Sequence, residues 1–124
     1  MEENNEHLLQ LAELILPEEI FEFFDITRIE SNENQVDMYL DEKHEKPEGY
    51  ELVKLTSKGF HLPICIQDFP LREKALYLHV RRRRWFSEST GKIVERDWES
   101  VAKGTRLTKG FATFLKGLFG QLPD

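Results

Sequence analysis

Lys74-Ala75-Leu76-Tyr77-Leu78-His79-Val80-Arg81-Arg82-Arg83-Arg84-Trp85-Phe86 is the stretch on which the reading of this chain turns. In its first half Leu76, Leu78 and Val80 alternate with Tyr77, His79 and Arg81, which is the period-two pattern of a strand with one apolar and one polar face. Its second half is a run of four arginines followed by two aromatic residues. Alternation carried through the run puts Arg81, Arg83 and Trp85 on one face and Arg82, Arg84 and Phe86 on the other. Adjacent guanidiniums repel one another and cannot all lie over a core. The nearby acids, chiefly Glu88 and Glu95, are too few to neutralise them. A phosphate backbone supplies evenly spaced anionic oxygens that suit the guanidinium fork.

Working outward, Ser87 to Lys92 supplies a turn, with Gly91 available for a positive φ. Ile93, Val94 and Trp98 read as the return arm of a hairpin spanning 74–97. Upstream, Phe60 to Gln67 reads as a strand that Pro63 confines to an edge or a bulge, and Leu52 to Leu55 as another short one. Asp68-Phe69-Pro70-Leu71 reads as a turn. Val36, Met38 and Leu40 alternate with Asp37, Tyr39 and Asp41, and this strand pairs with Ile26 to Glu30 across Ser31 to Asn34. The polar 41–49 segment, ending in Pro and Gly, reads as an exposed loop. Leu8, Leu11 and Ile15, with Leu9, Ala12 and Leu16, follow helical spacing until Pro17 interrupts it. Glu18 and Glu19 suit a fresh helix start, and Ile20, Phe21, Phe23 and Phe24 follow. Thr108 is an N-cap candidate for a last helix carrying Phe111, Phe114, Leu115 and Leu118, although Gly110, Gly117 and Gly120 weaken it.

The chain has 124 residues, 40% hydrophobic and 32% charged, with a net charge of −6. That is one domain's worth of polypeptide with a core of its own. No apolar run is long enough for a membrane span, and the acidic start lacks the pattern of a secretory signal. The single cysteine, Cys65, excludes an internal disulfide and a cysteine-rich zinc site, and reads as a buried structural thiol. The net charge hides a segregation. Residues 1–50 hold 15 acids and 3 bases, whereas residues 51–124 hold 8 acids and 14 bases. Such asymmetry points to a polyelectrolyte partner. It equally allows the basic hairpin to pair with the acidic half of the same chain.

Catalytic chemistry finds little footing. His7, His44, His61 and His79 lack metal-ligand spacing, and neither a P-loop nor a dinucleotide fingerprint is present. The reading assigns no catalytic residue, no metal and no cofactor.

Five stretches taken together resemble a known family. They are Gly59 to Pro63, Ile66 to Pro70, Leu78 to Trp85, Glu95 to Trp98, and Ala102 to Thr108. They are similar to the N-terminal region of bacterial insertion-sequence transposases, including the kind in which this region is a separate short protein. In that family a zinc-binding domain with a small antiparallel sheet, like that of plant WRKY domains, precedes a helix-turn-helix and an RNase H-like domain with an Asp-Asp-Glu triad. This chain departs from the pattern in carrying Ser87, Ser89 and Thr90 where cysteines would lie. The sheet is therefore expected to be held by packing of Phe60, Leu78, Trp85 and Trp98, without zinc. A length of 124 residues leaves no room for the catalytic domain.

The expectation is an α+β chain. It has a helical segment over 1–24, an antiparallel sheet of about four to six strands with a basic hairpin over 25–107, and a C-terminal helix and tail over 108–124. The resemblance implies binding of double-stranded DNA at the terminal inverted repeats, with cutting and joining by a downstream or frameshifted catalytic polypeptide. The cellular setting is then the cytoplasm, near the nucleoid, with homo-oligomers allowed. The DNA-binding candidates are Arg81, Arg82, Arg83, Arg84, Trp85, Lys92, Arg96, Lys103 and Arg106. The alternative is a protein-interaction or regulatory module, whose acidic N-terminal half docks on a catalytic subunit or masks the basic hairpin.

Overall fold

The structure is a computed structural model that describes residues 2–104 and 108–120, with side chains from residue 6 onward. The elements run α1 (Glu2–Ile15), α2 (Ile20–Phe23), β1 (Phe24–Ser31), β2 (Gln35–Glu42), β3 (Leu55–Phe60), β4 (Ile64–Leu71), β5 (Lys74–Arg81), β6 (Arg83–Ser87), β7 (Lys92–Val94), α3 (Trp98–Gly104) and α4 (Lys109–Phe119). The α+β class holds, and the strands divide into a four-stranded sheet in the order β1-β2-β5-β4 and a three-stranded sheet in the order β3-β6-β7.

The expected single, mostly antiparallel sheet is two sheets, with one parallel pairing. β2 and β5 run parallel, with Val36 opposite Leu76, Met38 opposite Leu78 and Leu40 opposite Val80. These are the two most regularly alternating strands in the chain, and their buried residues line up side by side. Parallel pairing needs a long crossover, which the segment carrying β3 and β4 provides. The expected hairpin of Ile26–Glu30 with Val36–Asp41 is present as β1 and β2, with a bulge between Ile26 and Arg28.

The core lies on one face of the four-stranded sheet. Leu40, Leu76, Leu78 and Val80 meet Ala12 and Leu16 of the N-terminal helical segment and Phe111, Phe114, Leu115 and Leu118 of α4. Phe24 stacks on Trp98 at 5.3 Å and meets Phe114 edge-on at 5.7 Å, joining the helices on this face. The glycines that weakened α4 in sequence have packing reasons. A Cβ at Gly110 would sit 2.8 Å from Pro17, and one at Gly117 would sit 2.8 Å from Ile66. Gly120, at φ 75°, ends the helix. Thr108 does cap α4, accepting from Phe111 N–H at 3.3 Å and donating to Glu19.

Four local readings are corrected. Asp68 to Leu71 continues β4 with an irregular register, and does not form a turn. Leu52 to Lys54 lies outside any strand. Trp98 opens α3, because Asp97 accepts from Glu99 and Ser100 N–H and starts a helix there. Cys65 is exposed, since β4 is an edge strand and Cys65 points away from the helices.

Leu78 is 1% exposed and Leu52 is fully exposed. Leu78→Ala is therefore expected to lower the unfolding free energy by about 2–5 kcal/mol, while Leu52→Ala stays within about 0.5 kcal/mol. Urea unfolding followed by circular dichroism measures both.

Candidate nucleic-acid interface

The expected hairpin over 74–97 is corrected: the arginine run straddles the two sheets, and only β6 and β7 form the hairpin, because β5 is taken up by β2 and β4. β5 ends at Arg81, β6 begins at Arg83, and Arg82 bridges them. The parallel pairing sets Arg81 opposite Asp41. Arg81 donates from Nε to Asp41 Oδ1 and from Nη2 to Oδ2, both at 2.6 Å, in a bidentate fork. That carboxylate holds the Arg81 guanidinium above its ordinary pKa. The Phe60 ring lies 4.2 Å from the Arg81 guanidinium and 4.6 Å from that of Arg83.

Arg83 turns inward. Its guanidinium donates to the carbonyls of Glu42 and Lys43 at 3.1–3.2 Å and to Ser57 Oγ at 2.9 Å, and its backbone N–H donates to Glu42 Oε1 at 3.0 Å. The other Glu42 oxygen, Oε2, accepts from Arg96 Nε at 3.2 Å. Glu42 is 1% exposed and Arg96 is 8% exposed. Burial pushes the Glu42 carboxyl above its ordinary value, against the downward pull of Arg83 N–H and the Arg96 guanidinium.

The alternate members of the run differ. Arg82 lies 3.9 Å from Glu95, which also approaches His61 at 2.8 Å. Among the described residues no acid pairs with Arg84, Lys58 or Lys92. Strand alternation sets Arg84 and Phe86 on the face of the three-stranded sheet opposite Trp85. Phe86 is in register with Thr56 and Ile93, and the Lys58 ammonium lies over its ring at 5.7 Å. Ile93 is 43% exposed. Arg84, Lys58, Phe86 and Ile93 thus form a basic and apolar outer face, while Lys92, in register with Ser87 at the hairpin end, belongs by parity to the Trp85 side.

Several candidates have other tasks. Trp85, expected to stack or wedge against DNA, is 2% exposed and packs against the His44 ring at 5.0 Å. Arg96, expected to anchor a DNA backbone, is an internal partner of Glu42 and also reaches the Glu45 carbonyl; the segment read as an exposed loop over 41–49 begins as the end of β2, with Glu42 buried. Lys103 pairs with Glu99 along α3 at 3.4 Å. Arg106 lies outside the described residues. Lys58 was not among the residues expected on this face. Its signal was its place two residues before Phe60 on a strand whose partner had not been identified.

The outer face of the four-stranded sheet carries a second polar array. Arg28, Tyr39, His79 and Cys65 stand in register across all four strands. The Arg28 guanidinium lies 4.0 Å from the Tyr39 ring, Tyr39 stacks on His79 at 4.5 Å, and His79 Nε2 is 2.7 Å from Asp37. The hydrogen bond from His79 holds the Asp37 carboxyl below its ordinary value. A shallow cavity of about 470 Å³ sits over this array. Among the described residues there is no cluster of three or more His, Cys, Asp or Glu placed to hold a metal, and no helix long and apolar enough to cross a membrane.

Comparison with family models, with curated proteins and with solved structures returns no match to this chain.

Removing one partner of a buried pair strands the other charge. Glu42→Ala is therefore expected to cost roughly 3–5 kcal/mol. The double change Glu42→Met with Arg96→Met should recover part of that loss, with Arg83 N–H still lacking an acceptor; chemical unfolding measures the cycle. Asp37, with its folded pKa below the ordinary 3.8, adds stability that is present above that value and lost as pH falls through the folded one. Asp37→Asn should thus lose less stability than the parent chain between about pH 6 and about pH 3, in thermal melts across that range.

Proposed function

We propose that this chain is a non-catalytic, DNA-binding N-terminal region of an insertion-sequence transposase. It engages duplex DNA at the element's terminal inverted repeats, and another polypeptide or reading frame carries the cutting and joining chemistry. The observation that carries the DNA reading is the division of the arginine run. Arg81 and Arg83 are consumed by Asp41, Glu42 and Lys43, whereas Arg84, with Lys58 and Lys92, keeps no acid partner among the described residues. Unpaired cations beside Phe86 and Ile93 on a three-stranded sheet suit the phosphates and groove walls of a duplex. The transposase assignment rests on the sequence resemblance alone.

On this reading Arg84, Lys58 and Lys92 are the phosphate or base contacts, Arg82 is held between Glu95 and the Phe119 ring, and Arg81, Arg83, Trp85 and Arg96 build the scaffold that presents them. The cytoplasmic, nucleoid-associated setting follows from the same proposal. A second reading has its own observation. The acidic half does bind part of the basic run, through the Asp41–Arg81 fork, as a self-masking module would.

Fluorescence anisotropy with inverted-repeat duplex and with scrambled duplex, over a salt series, tests both readings. Arg84→Ala with Lys58→Ala should weaken binding at every salt concentration and make the log–log salt slope shallower by about 2. Unchanged affinity and slope would overturn the DNA face. Asp41→Asn should leave affinity unchanged on the first reading, and should strengthen it on the masking reading by freeing Arg81.

A further inference from the structure

The helix α1 is oddly dressed for a solvent-facing element. Leu8, Leu11, Leu14 and Ile15 recur at helical spacing, yet Leu11 is 54% exposed, Leu14 83% and Ile15 42%. Only Ala12 among its described side chains is buried. Scattered exposed leucines are ordinary on a protein surface, but a continuous apolar stripe marks a contact surface.

Beside the stripe lies an apolar cleft of about 420 Å³ between α4 and β4, whose walls include Ile15, Pro17, Ile66, Phe69, Phe114 and Gly117. Phe69 at its mouth is 79% exposed. Ile15 belongs to both features, so the stripe and the cleft are one continuous patch.

α1 and the α4 wall of the cleft have opposite charge. α1 holds four glutamates and no lysine or arginine. α4 holds Lys109 and Lys116 and no acid. Lys116 stands on the cleft wall. Asp68 stands on the β4 side of the cleft, accepting from Phe69 N–H at 2.8 Å, so the basic side of the cleft is the α4 wall. Within one chain, α1 lines the cleft only through its last residue, Ile15.

We propose that two copies of this chain pair about a twofold axis through this patch, with the leucine stripe of each α1 seated in the α4–β4 cleft of the other. A surface that joins a helix to the groove fitting it, and acids to the bases facing them, is self-complementary. A twofold operation then buries both halves twice and closes without further growth. Ridges of Leu11 and Leu14 fill the cleft between Ile66 and Phe114, and Glu13 meets Lys116. This proposal does not depend on the DNA reading.

Sedimentation velocity on the full chain at tens of micromolar tests it. The expected species is a dimer of the 14.7 kDa chain. Leu14→Lys, at an exposed position, should give a monomer with an unchanged circular dichroism spectrum. Lys116→Glu should weaken dimerisation about tenfold, because the twofold axis counts each reversed pair twice. Adding Glu13→Lys to Lys116→Glu should restore it. A monomeric parent chain, a dimer untouched by Leu14→Lys, or a failure of the charge swap to restore pairing would each overturn the proposal. A monomeric parent chain includes the case in which the cleft serves some other protein.

Discussion

The carboxylate of Glu42 is the joint on which the rest of the molecule depends. It closes β2 at the edge of the main core, yet its partners lie elsewhere. One oxygen takes the N–H of Arg83, the first residue of β6 in the second sheet, and the other takes the guanidinium of Arg96, on the way into α3. One side chain therefore couples the four-stranded sheet, the three-stranded sheet and the C-terminal helices. Such a group is costly to bury and gives little net stability over a well-packed apolar substitute. Its effect is directional. It fixes where β5 ends, because the chain must turn at Arg82 for the Arg83 amide to meet the carboxylate.

That turn determines what the basic run offers to a partner. If the strand had run on unbroken, alternate arginines would have covered both faces of one sheet. Split between sheets, Arg81 is caught by Asp41 through the in-register parallel pairing of β2 and β5. Arg83 is caught by the end of β2. Arg84 emerges on the far side of the three-stranded sheet beside Lys58 and Phe86. The acidic half of the chain thus occupies Arg81, on the outer face of the four-stranded sheet, and Arg83, which turns inward, and leaves a smaller set of cations without acid partners. The overall negative charge and a basic outer face are compatible because opposite charges have been sorted by contact.

Much of this was legible in the residues. The alternation of Val36, Met38 and Leu40 and that of Leu76, Leu78 and Val80 identified two strands and their buried faces, and both hold. Thr108 marked the start of α4, and Pro17 the end of the first helix. The errors lie where local chemistry is ambiguous. Pro70 beside Phe69 looked like a turn, but an edge strand tolerates proline because its outer N–H has no ladder partner. Trp98 looked like a strand residue until the Asp97 side chain bonded the following amides and opened a helix. Cys65 looked buried on residue type alone, but strand parity sets it on the open face.

By itself the sequence determined the α+β class, the periodicity of each long element, the segregation of charge, and the presence of four guanidiniums in a row. Each of these is a property of neighbours in the chain, set by side-chain spacing and backbone preference. Only the tertiary structure decided that β2 pairs parallel with β5, that the run breaks at Arg82, and that Asp41 and Glu42 meet residues about 40 positions away. Those outcomes depend on which apolar stripes lie side by side in the core, and that choice is settled by packing all the elements at once. The role of each arginine follows from that packing: a guanidinium's partner is whatever acid the fold brings within about 3 Å of it.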